Sequence, residues 1–143
     1  MGLSRLNYLY RAVVLEHASH PHHQGAMLDA DAQTTLHNPT CGDTINLAVK
    51  VDHDHISDLM FTGSGCTISQ ASASMMGDVL IGQSVDDAKK LIHDFSELIM
   101  GKEISSQAQD QLKDAAILGS VAQFPTRIKC AALAWHAAQE LLG

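Results

Sequence analysis

Apolar residues recur along the chain with two different periods, and the change of period separates helical from extended segments. In residues 3 to about 18 the apolar positions return every three or four residues, which is typical of an amphipathic helix. The positions on that stripe are Leu6, Leu9/Tyr10, Val13/Val14 and His17. Pro21 disfavours helical backbone in the residue before it, and Gly25 marks a loop, so the helix is predicted to end close to residue 20.

A period of two follows and predicts β-structure. Residues 33–37 form a short predicted strand that enters a turn at residues 38–43. Beyond the turn, one face of a second strand is apolar: Ile45, Leu47, Val49 and Val51. Residues 52–55 are the polar tip of a hairpin, and a return strand spans residues 56 to about 62. These segments predict an antiparallel sheet with one face available for helices to cover.

From residue 67 onward the pattern is helical. Capping sequences at residues 67–70, 84–87 and 106–109 predict helices that begin at Thr67, Ser84 and Ser106. Pro125 suits the first turn of a last helix that runs to about residue 142. Strands followed by helices predict an α+β fold, a small antiparallel sheet of about three strands packed against several helices, in a single domain over residues 1–143.

Composition excludes several classes of function. The net charge of −7, from 16 acidic and 9 basic residues, argues against nucleic-acid binding, which needs a basic face. We find neither an apolar run of the roughly 18 residues that a membrane span requires nor the pattern of a signal peptide. The three widely spaced cysteines are therefore expected to be thiols kept for chemistry in a reducing cytoplasm. We expect a cytoplasmic protein without a nucleic-acid or membrane partner.

The turn at residues 38–43 carries a thiol and a carboxylate. Cys41 and Asp43 are two positions apart, so both side chains can project to one side of the bend, and Gly42 between them removes crowding. The two groups could reach one metal ion. The alternative is structural: a buried cysteine, and an aspartate that bonds to its own turn.

The second cysteine follows two glycines. Gly63 and Gly65 permit a sharp turn from strand to helix, which places Cys66 at or just before a helix N-terminus. There the helix dipole and the N–H groups without partners favour a thiolate. A phosphate loop of the dinucleotide-binding type is a poor alternative because the third glycine is missing. A tight turn with an incidental thiol is the structural alternative.

The third cysteine, Cys130, lies one to two turns into the last helix. A cysteine in an alanine-rich helix is usually a small core residue, but Arg127 and Lys129 lie beside it. Cations of this kind stabilise a thiolate or bind the acids of a partner, whereas their structural role is a solvated helix face. Three thiols and one carboxylate from separate segments suit a tetrahedral Zn²⁺ site, and thiolates also suit Fe–S clusters.

Three motifs in this order resemble those of the IscU/SufU family of iron–sulfur cluster assembly proteins. They are Asn38-Pro39-x-Cys41-Gly42-Asp43, Gly63-x-Gly65-Cys66-x-Ile68-Ser69-x-Ala71-Ser72 and Arg127-x-Lys129-Cys130-Ala131-x-Leu133-x-Trp135. IscU-type scaffolds carry a histidine immediately before the third cysteine, where this chain has Lys129. The resemblance therefore favours the SufU branch, with a SufE/IscU-like fold.

The resemblance implies a site and a function. Zn²⁺ would be held by Cys41, Asp43, Cys66 and Cys130, and Cys41 would accept persulfide sulfur from a SufS-type cysteine desulfurase. Arg127 would steady the partner or the persulfide, and an Fe–S scaffold or other Suf assembly components would act downstream. The main alternative is a scaffold that assembles a [2Fe-2S] cluster on the same three cysteines. A remote alternative is a cysteine hydrolase with Cys66 as nucleophile.

Histidines are potential competing ligands. His20, His22 and His23 flank Pro21, and short histidine-rich tracts can bind metal. We expect these three side chains to be exposed in a loop instead. The same expectation applies to His53 and His55 at the hairpin tip, and the spacing of His37 and His136 does not assign either to a site.

Overall fold

A computed structural model of the chain describes residues 2–39 and 42–143, with side chains described from Tyr10 onward. The elements in chain order are α1 (Gly2–Ser19), β1 (Ala32–Asn38), β2 (Asp43–Asp52), β3 (His55–Ser64), α2 (Thr67–Leu80), α3 (Val85–Ile99), α4 (Ser106–Leu112), a 3₁₀-helical segment (Lys113–Gln123) and α5 (Pro125–Leu142). The strands form a three-stranded antiparallel sheet in the order β1-β2-β3. The predicted α+β fold is confirmed.

The register of the sheet brings the candidate site to one end of it. Asn38 at the end of β1 is opposite Asp43 at the start of β2, and Thr44 is opposite Ser64 at the end of β3. The turn into α2 follows directly, so Asp43 lies close to the start of that helix. At the other end of the sheet, His53 and Asp54 form the predicted tip with left-handed φ angles of 51° and 64°.

α2 is the central helix. Nearly all of its side chains are buried, and it packs against α1, β3, α5 and the 3₁₀-helical segment. The prediction that Thr67 caps this helix is wrong, because Thr67 is already in the first turn and Cys66 occupies the cap position. The acceptor comes from the sheet instead: Oδ1 of Asp43 accepts the backbone N–H of Cys66 at 2.8 Å. The start of α2 is thereby attached to the start of β2.

The other predicted helix starts are confirmed or displaced by one residue. Ser84 caps α3 by accepting the backbone N–H of Asp87 at 3.1 Å, and Pro125 occupies the first turn of α5, both as predicted. The cap of α4 is Ser105 rather than Ser106, with its side chain accepting the N–H of Ala108 at 3.1 Å. Two adjacent serines offer the same hydroxyl, so the sequence alone does not choose between them.

Two buried side chains join α5 to α2 and α3. The Trp135 ring stacks on Phe95 with centroids 4.0 Å apart, and its Nε1–H donates to Oγ of Ser72 at 2.9 Å. Ser72 in turn donates to the carbonyl of Ala131 at 2.6 Å. These bonds hold the segment of α5 that carries Cys130 against α2. Among the described residues, we find none of the helices long and apolar enough to cross a membrane.

Candidate metal centre

Asp43 is the fixed point of the candidate site. Its side chain is 1% exposed, yet it is a carboxylate, so its charge needs partners inside the protein. Oδ1 accepts the N–H of Cys66 at 2.8 Å and the hydroxyl of Ser69 at 3.3 Å. Oδ2 accepts the amide N–H of Asn38 at 3.3 Å. Three donors from three elements therefore hold one carboxylate where strand, turn and helix meet.

Those donors also set its protonation. Burial would raise the pKa of Asp43, but the hydrogen bonds from the Cys66 N–H, the Cys130 thiol, Asn38 and Ser69 outweigh burial and hold the pKa below its ordinary value. The carboxylate is therefore ionised at neutral pH, the form in which it can bind a cation.

Gly65 makes room for this carboxylate. Its φ of +152° is one that residues with a side chain rarely adopt. A Cβ at this position would collide with Oδ1 of Asp43 and would lie 2.8 Å from Oγ of Ser69. The glycine predicted for a sharp turn is thus also required by the close approach of the buried acid.

Two of the three cysteines meet Asp43. Cys66 is half-buried at the start of α2, and Cys130 is 1% exposed on α5. One ligand atom from each of Asp43, Cys66 and Cys130 lies within 4.8 Å of the other two. Three of the four predicted ligands are thus close together, and Cys41, the fourth, lies outside the described residues.

Asn38 and Ser69 lie within two of the sequence motifs and are also residues of the site. The Asn38 amide lies between Oδ2 of Asp43 and Sγ of Cys130, at 3.3 Å and 3.8 Å. Ser69 also donates to the carbonyl of Cys66 at 3.0 Å. The available signals were positional: Asn38 is the strand partner of Asp43, and Ser69 is three residues after Cys66 on a helix.

The donor set fits a tetrahedral metal. In a zinc site with Zn–S bonds of about 2.3 Å and Zn–O bonds of about 2.1 Å, neighbouring ligand atoms are roughly 3.6–3.8 Å apart. The limit of 4.8 Å found here is close enough for side-chain rotation to close the difference. A buried carboxylate beside two thiols also provides the negative charge that a cation balances. The same thiols suit iron as well as zinc, so the donor set fits a metal ion and does not distinguish between these two metals.

Arg127 and Lys129, the two cations near Cys130, lie beside different groups of residues. Arg127 is exposed at the start of α5, and its charge acts on Tyr10 of α1. Burial raises the pKa of Tyr10, and the Cys66 thiol raises it further. The charge of Arg127 and a hydrogen bond with Ser120 lower this pKa and so oppose the effect of burial. Arg127 and Cys66 therefore both lie close enough to Tyr10 to influence its pKa.

Lys129 lies elsewhere. It lines a shallow groove of about 290 Å³ together with His37, Asn38, Pro39, Leu133 and His136. His37 and His136 are exposed, and His37 Nδ1 is 3.1 Å from Oγ1 of Thr44. Arg127 and Lys129 are close in sequence, but Arg127 acts on Tyr10 and Lys129 lines the groove with His37 and His136.

Some of the other histidines are exposed, as expected for loop residues, and others are not. His20 and His53 are exposed, with side chains 77% and 92% accessible. His22 and His23 are 50% and 28% accessible, and both are hydrogen-bonded to Asp78 of α2. His17 is buried.

Comparison with known proteins places the chain among iron–sulfur cluster assembly proteins. The family described as "NifU-like N terminal domain" matches residues 9–131. The chain belongs to this family, and the resemblance to IscU and SufU proteins is confirmed.

Three relatives define its position. The chain is 51% identical to the "Iron-sulfur cluster assembly scaffold protein IscU" of Streptococcus pyogenes serotype M1, over 99% of this chain and 87% of that protein. It is 39% identical to the "Zinc-dependent sulfurtransferase SufU" of Bacillus subtilis, over 96% and 91%. A crystal structure of a putative SUF-system scaffold, SufU of Fervidobacterium islandicum AW-1, superposes with a TM-score of 0.82 at 27% identity, covering 92% and 94%. The family and its fold are therefore shown, while its members carry both scaffold and sulfurtransferase names.

Proposed function

We propose that this protein is a zinc-dependent sulfur-transfer protein of iron–sulfur cluster assembly, which accepts persulfide sulfur from a SufS-type cysteine desulfurase. The observation that supports the proposal is the convergence of Asp43, Cys66 and Cys130 within 4.8 Å around an ionised, buried carboxylate. The Bacillus relative named as a zinc-dependent sulfurtransferase aligns with nearly the whole chain.

The proposed zinc ligands are Cys41, Asp43, Cys66 and Cys130. Zn²⁺ at this site would keep the cysteines deprotonated and out of disulfides. The protein's own contribution is orientation: Asn38 and Ser69 hold the carboxylate, and the Ser72–Trp135 pair holds the helix that carries Cys130. Asp43, with four hydrogen-bond donors, is the ligand that the fold fixes most firmly.

In the proposed transfer, Cys41 is the sulfur acceptor. Its thiolate attacks the terminal sulfur of the persulfide on the desulfurase cysteine. The new S–S bond gives a Cys41 persulfide, the old S–S bond breaks, and the desulfurase cysteine leaves as a thiolate. The rate of such an exchange depends on the thiolate fraction and on access to the sulfur. The Cys41 persulfide then supplies a downstream Fe–S scaffold or Suf component.

Arg127 is proposed to steady the docked desulfurase or the persulfide anion. Its side chain is exposed, and its charge reaches the Tyr10 and Cys66 side of the site. A guanidinium on that side offers several N–H donors to an anionic sulfur or to a partner carboxylate. The proposal predicts that Arg127→Ala weakens stimulation of the desulfurase without removing zinc.

A desulfurase assay tests the proposal. Sulfide or persulfide production by a SufS-type enzyme is measured with zinc-loaded wild-type protein, Cys41→Ala and a control, His53→Ala, whose side chain is at the hairpin tip and 92% accessible. Wild type and the control should stimulate turnover, and Cys41→Ala should not. Stimulation by Cys41→Ala, or none by zinc-loaded wild type, would overturn the proposal.

The second candidate is an Fe–S scaffold on the same thiols. It is favoured by the Streptococcus relative, which is named as a scaffold and is 51% identical. Anaerobic purification followed by metal and sulfide analysis separates the two candidates. Iron with acid-labile sulfide supports a scaffold, whereas stoichiometric zinc without sulfide supports the transfer protein.

The remote hydrolase alternative gains no support from the residues described around Cys66. A cysteine nucleophile needs a histidine base within hydrogen-bond reach. The potential ligand groups gathered with Cys66 are Asp43 and Cys130, neither of which is such a base. Hydrolysis that survives both Cys41→Ser and Cys130→Ser would restore this alternative.

A further inference from the structure

A second group of metal-ligating side chains lies farther along α2. One potential ligand atom from each of His17, His22 and Asp78 lies within 4.8 Å of the other two. His17 comes from the end of α1, His22 from the loop that follows, and Asp78 from α2. An α-helix rises about 1.5 Å per residue, so Asp78 is roughly 18 Å along the axis from Cys66. The group is separate from the thiol site.

Hydrogen bonds at both ring nitrogens fix the orientation of the His17 ring. Nε2 is 2.9 Å from Oδ2 of Asp114, and Nδ1 is 2.7 Å from Oγ of Ser74. With Nε2–H donated to Asp114, Nδ1 accepts the hydroxyl of Ser74, and a metal ion bound at Nδ1 would take the place of that hydroxyl. A ligating histidine typically donates its other N–H to a carboxylate, which is the role that Asp114 takes here.

Hydrogen bonds to two histidines likewise hold the Asp78 carboxylate in one orientation. Its Oδ2 is 2.7 Å from Nδ1 of His22, and its Oδ1 is 2.8 Å from Nε2 of His23. A metal that replaced the proton between His22 and Asp78 would need ligand atoms about 3.3 Å apart, so the pair would open by only about 0.6 Å. His23 would keep its hydrogen bond to the other carboxylate oxygen and hold the carboxylate in place.

The backbone is adapted to this arrangement. His23 has a left-handed φ of 61°, which is uncommon for a residue with a side chain. Gly77 lies in the interior of α2, where glycine costs about 1 kcal/mol relative to alanine. A Cβ on Gly77 would collide with the ring of His23. Both features keep His23 against Asp78.

We propose that His17, His22 and Asp78 form a second divalent-metal site, suited to Zn²⁺ and related transition-metal ions, with Asp114 and His23 as its orienting residues. Two imidazoles and one carboxylate are the ligand types that these ions accept, with further positions left for water. An open cavity of about 260 Å³, lined in part by His17, His22 and Asp114, gives access from solvent. A bound ion would tie α1, the following loop and α2 together.

Cadmium binding distinguishes this site from the thiol site. The untagged protein is stripped of metal under reducing conditions and titrated with ¹¹³Cd²⁺, because the ¹¹³Cd chemical shift separates sulfur-rich from nitrogen- and oxygen-rich coordination. Wild type should show one signal of each kind and bind two ions per chain. His22→Ala and Asp78→Asn should each lose only the nitrogen- and oxygen-type signal, and Cys66→Ser should lose or shift only the sulfur-type signal.

The matched control is His20→Ala, which removes an exposed histidine from the same loop. It should keep both signals. Asp114→Asn should weaken binding at the second site by about 10- to 100-fold, as expected for a residue that orients a ligand. Circular dichroism checks that each variant is folded; His22 and Asp114 are 50% and 60% accessible and tolerate replacement. One ion per chain in folded wild type, or a second signal that survives both His22→Ala and Asp78→Asn, would show that the cluster is only a hydrogen-bonded network.

Discussion

The thiol site lies beside the start of α2 and the histidine cluster lies farther along the same helix, and the two differ in burial. At the start of α2, Asp43 and Cys130 are each 1% exposed. Farther along the same helix, His22 is half-exposed and the Asp78 carboxylate is 30% accessible. His17, at 3%, is as enclosed as Asp43 and Cys130, whereas Cys66 is half-buried.

The difference in burial changes what holds each carboxylate. Asp43 is buried and accepts hydrogen bonds from N–H, O–H and S–H donors, so its loss removes several contacts inside the protein. Asp78 is paired with two histidines that water can reach, and solvent screens that interaction. We therefore expect the thiol site to be part of the folded core and the histidine cluster to be an adjustable surface feature.

The largest expected effect separates the two carboxylates. In metal-free protein, Asp43→Ala should lower the free energy of unfolding by about 3 kcal/mol, because the hydrogen bonds of this buried carboxylate to the Cys66 N–H and the Asn38 amide are lost. Asp78→Ala should cost about 1 kcal/mol because its partners are solvated. Urea unfolding with a chelator present measures both.

The same two variants can be compared in the presence of zinc. Zinc should raise the unfolding midpoint of wild type, and Asp43→Ala should lose most of that gain because a ligand is missing. Equal destabilisation by the two substitutions in metal-free protein would contradict the proposed difference in burial.

A pair of glycines provides the second comparison. Gly65→Ala places a methyl group on the buried Asp43 carboxylate and forces a φ of +152° on alanine, so we expect a loss of about 3 kcal/mol or more. Gly77→Ala meets the ring of His23, a side chain that is 28% accessible and can rotate away, and gains about 1 kcal/mol of helix propensity. Its net change should be within about 1 kcal/mol.

Thermal unfolding of both glycine variants tests this difference, and His23→Ala in the Gly77→Ala background serves as the control. His23→Ala also removes the hydrogen bond to Asp78, so its cost is measured both alone and in the Gly77→Ala background, and it should be smaller in that background. An equal cost in both backgrounds would mean that the ring of His23 is not what keeps alanine from this position.

Two serines on opposite faces of α2 give the third comparison. Ser72→Ala leaves the buried indole N–H of Trp135 without its acceptor and should cost about 2 kcal/mol. Ser74→Ala removes the hydrogen-bond partner of His17 Nδ1 and of the His22 N–H. Both histidines line an open cavity from which water can replace the lost hydroxyl, so this substitution should cost about 1 kcal/mol. Trp135 is the only tryptophan, so its fluorescence should change in Ser72→Ala alone. A matching change in Ser74→Ala would show that the two faces are coupled.

Much of the fold could be predicted from periodicity. The period of two predicts β2 and the period of three to four predicts α1, because each pattern records which face is buried. The helix starts were less predictable. Cys66 occupies the cap position of α2, and its backbone N–H donates to Asp43, which lies 23 positions earlier in the chain. The sequence close to Cys66 does not indicate that contact.

The residues of the thiol site could be predicted from the sequence, but the hydrogen bonds that hold them in place could not. Cysteines are rare, so three of them with an adjacent aspartate suggested one site, and the structure brings Asp43, Cys66 and Cys130 together. The histidine cluster could not be predicted in the same way. His17 recurs with the apolar residues of α1, and its partners Asp78 and Asp114 are distant in sequence and match no ligand spacing.

The smallest expected effect concerns Tyr10, which reports on the thiol-site side of the molecule. Burial raises the pKa of Tyr10, so the folded protein favours its neutral form. That contribution to stability is fully present below pH 10, the ordinary tyrosine pKa, and is lost as the pH rises above it. Tyr10→Phe should therefore make the alkaline decline in stability less steep.

Removing the charge of Arg127 should raise the pKa of Tyr10 further, because that charge opposes the effect of burial. Lys129→Ala is the matched control, since Lys129 is an exposed cation of the same helix that lines a different groove. Phenolate absorbance is titrated in each protein, with Tyr10→Phe used to subtract Tyr8, the other tyrosine. A shift as large in Lys129→Ala as in Arg127→Ala would mean that overall charge, rather than the position of Arg127 beside the thiol site, governs the pKa of Tyr10.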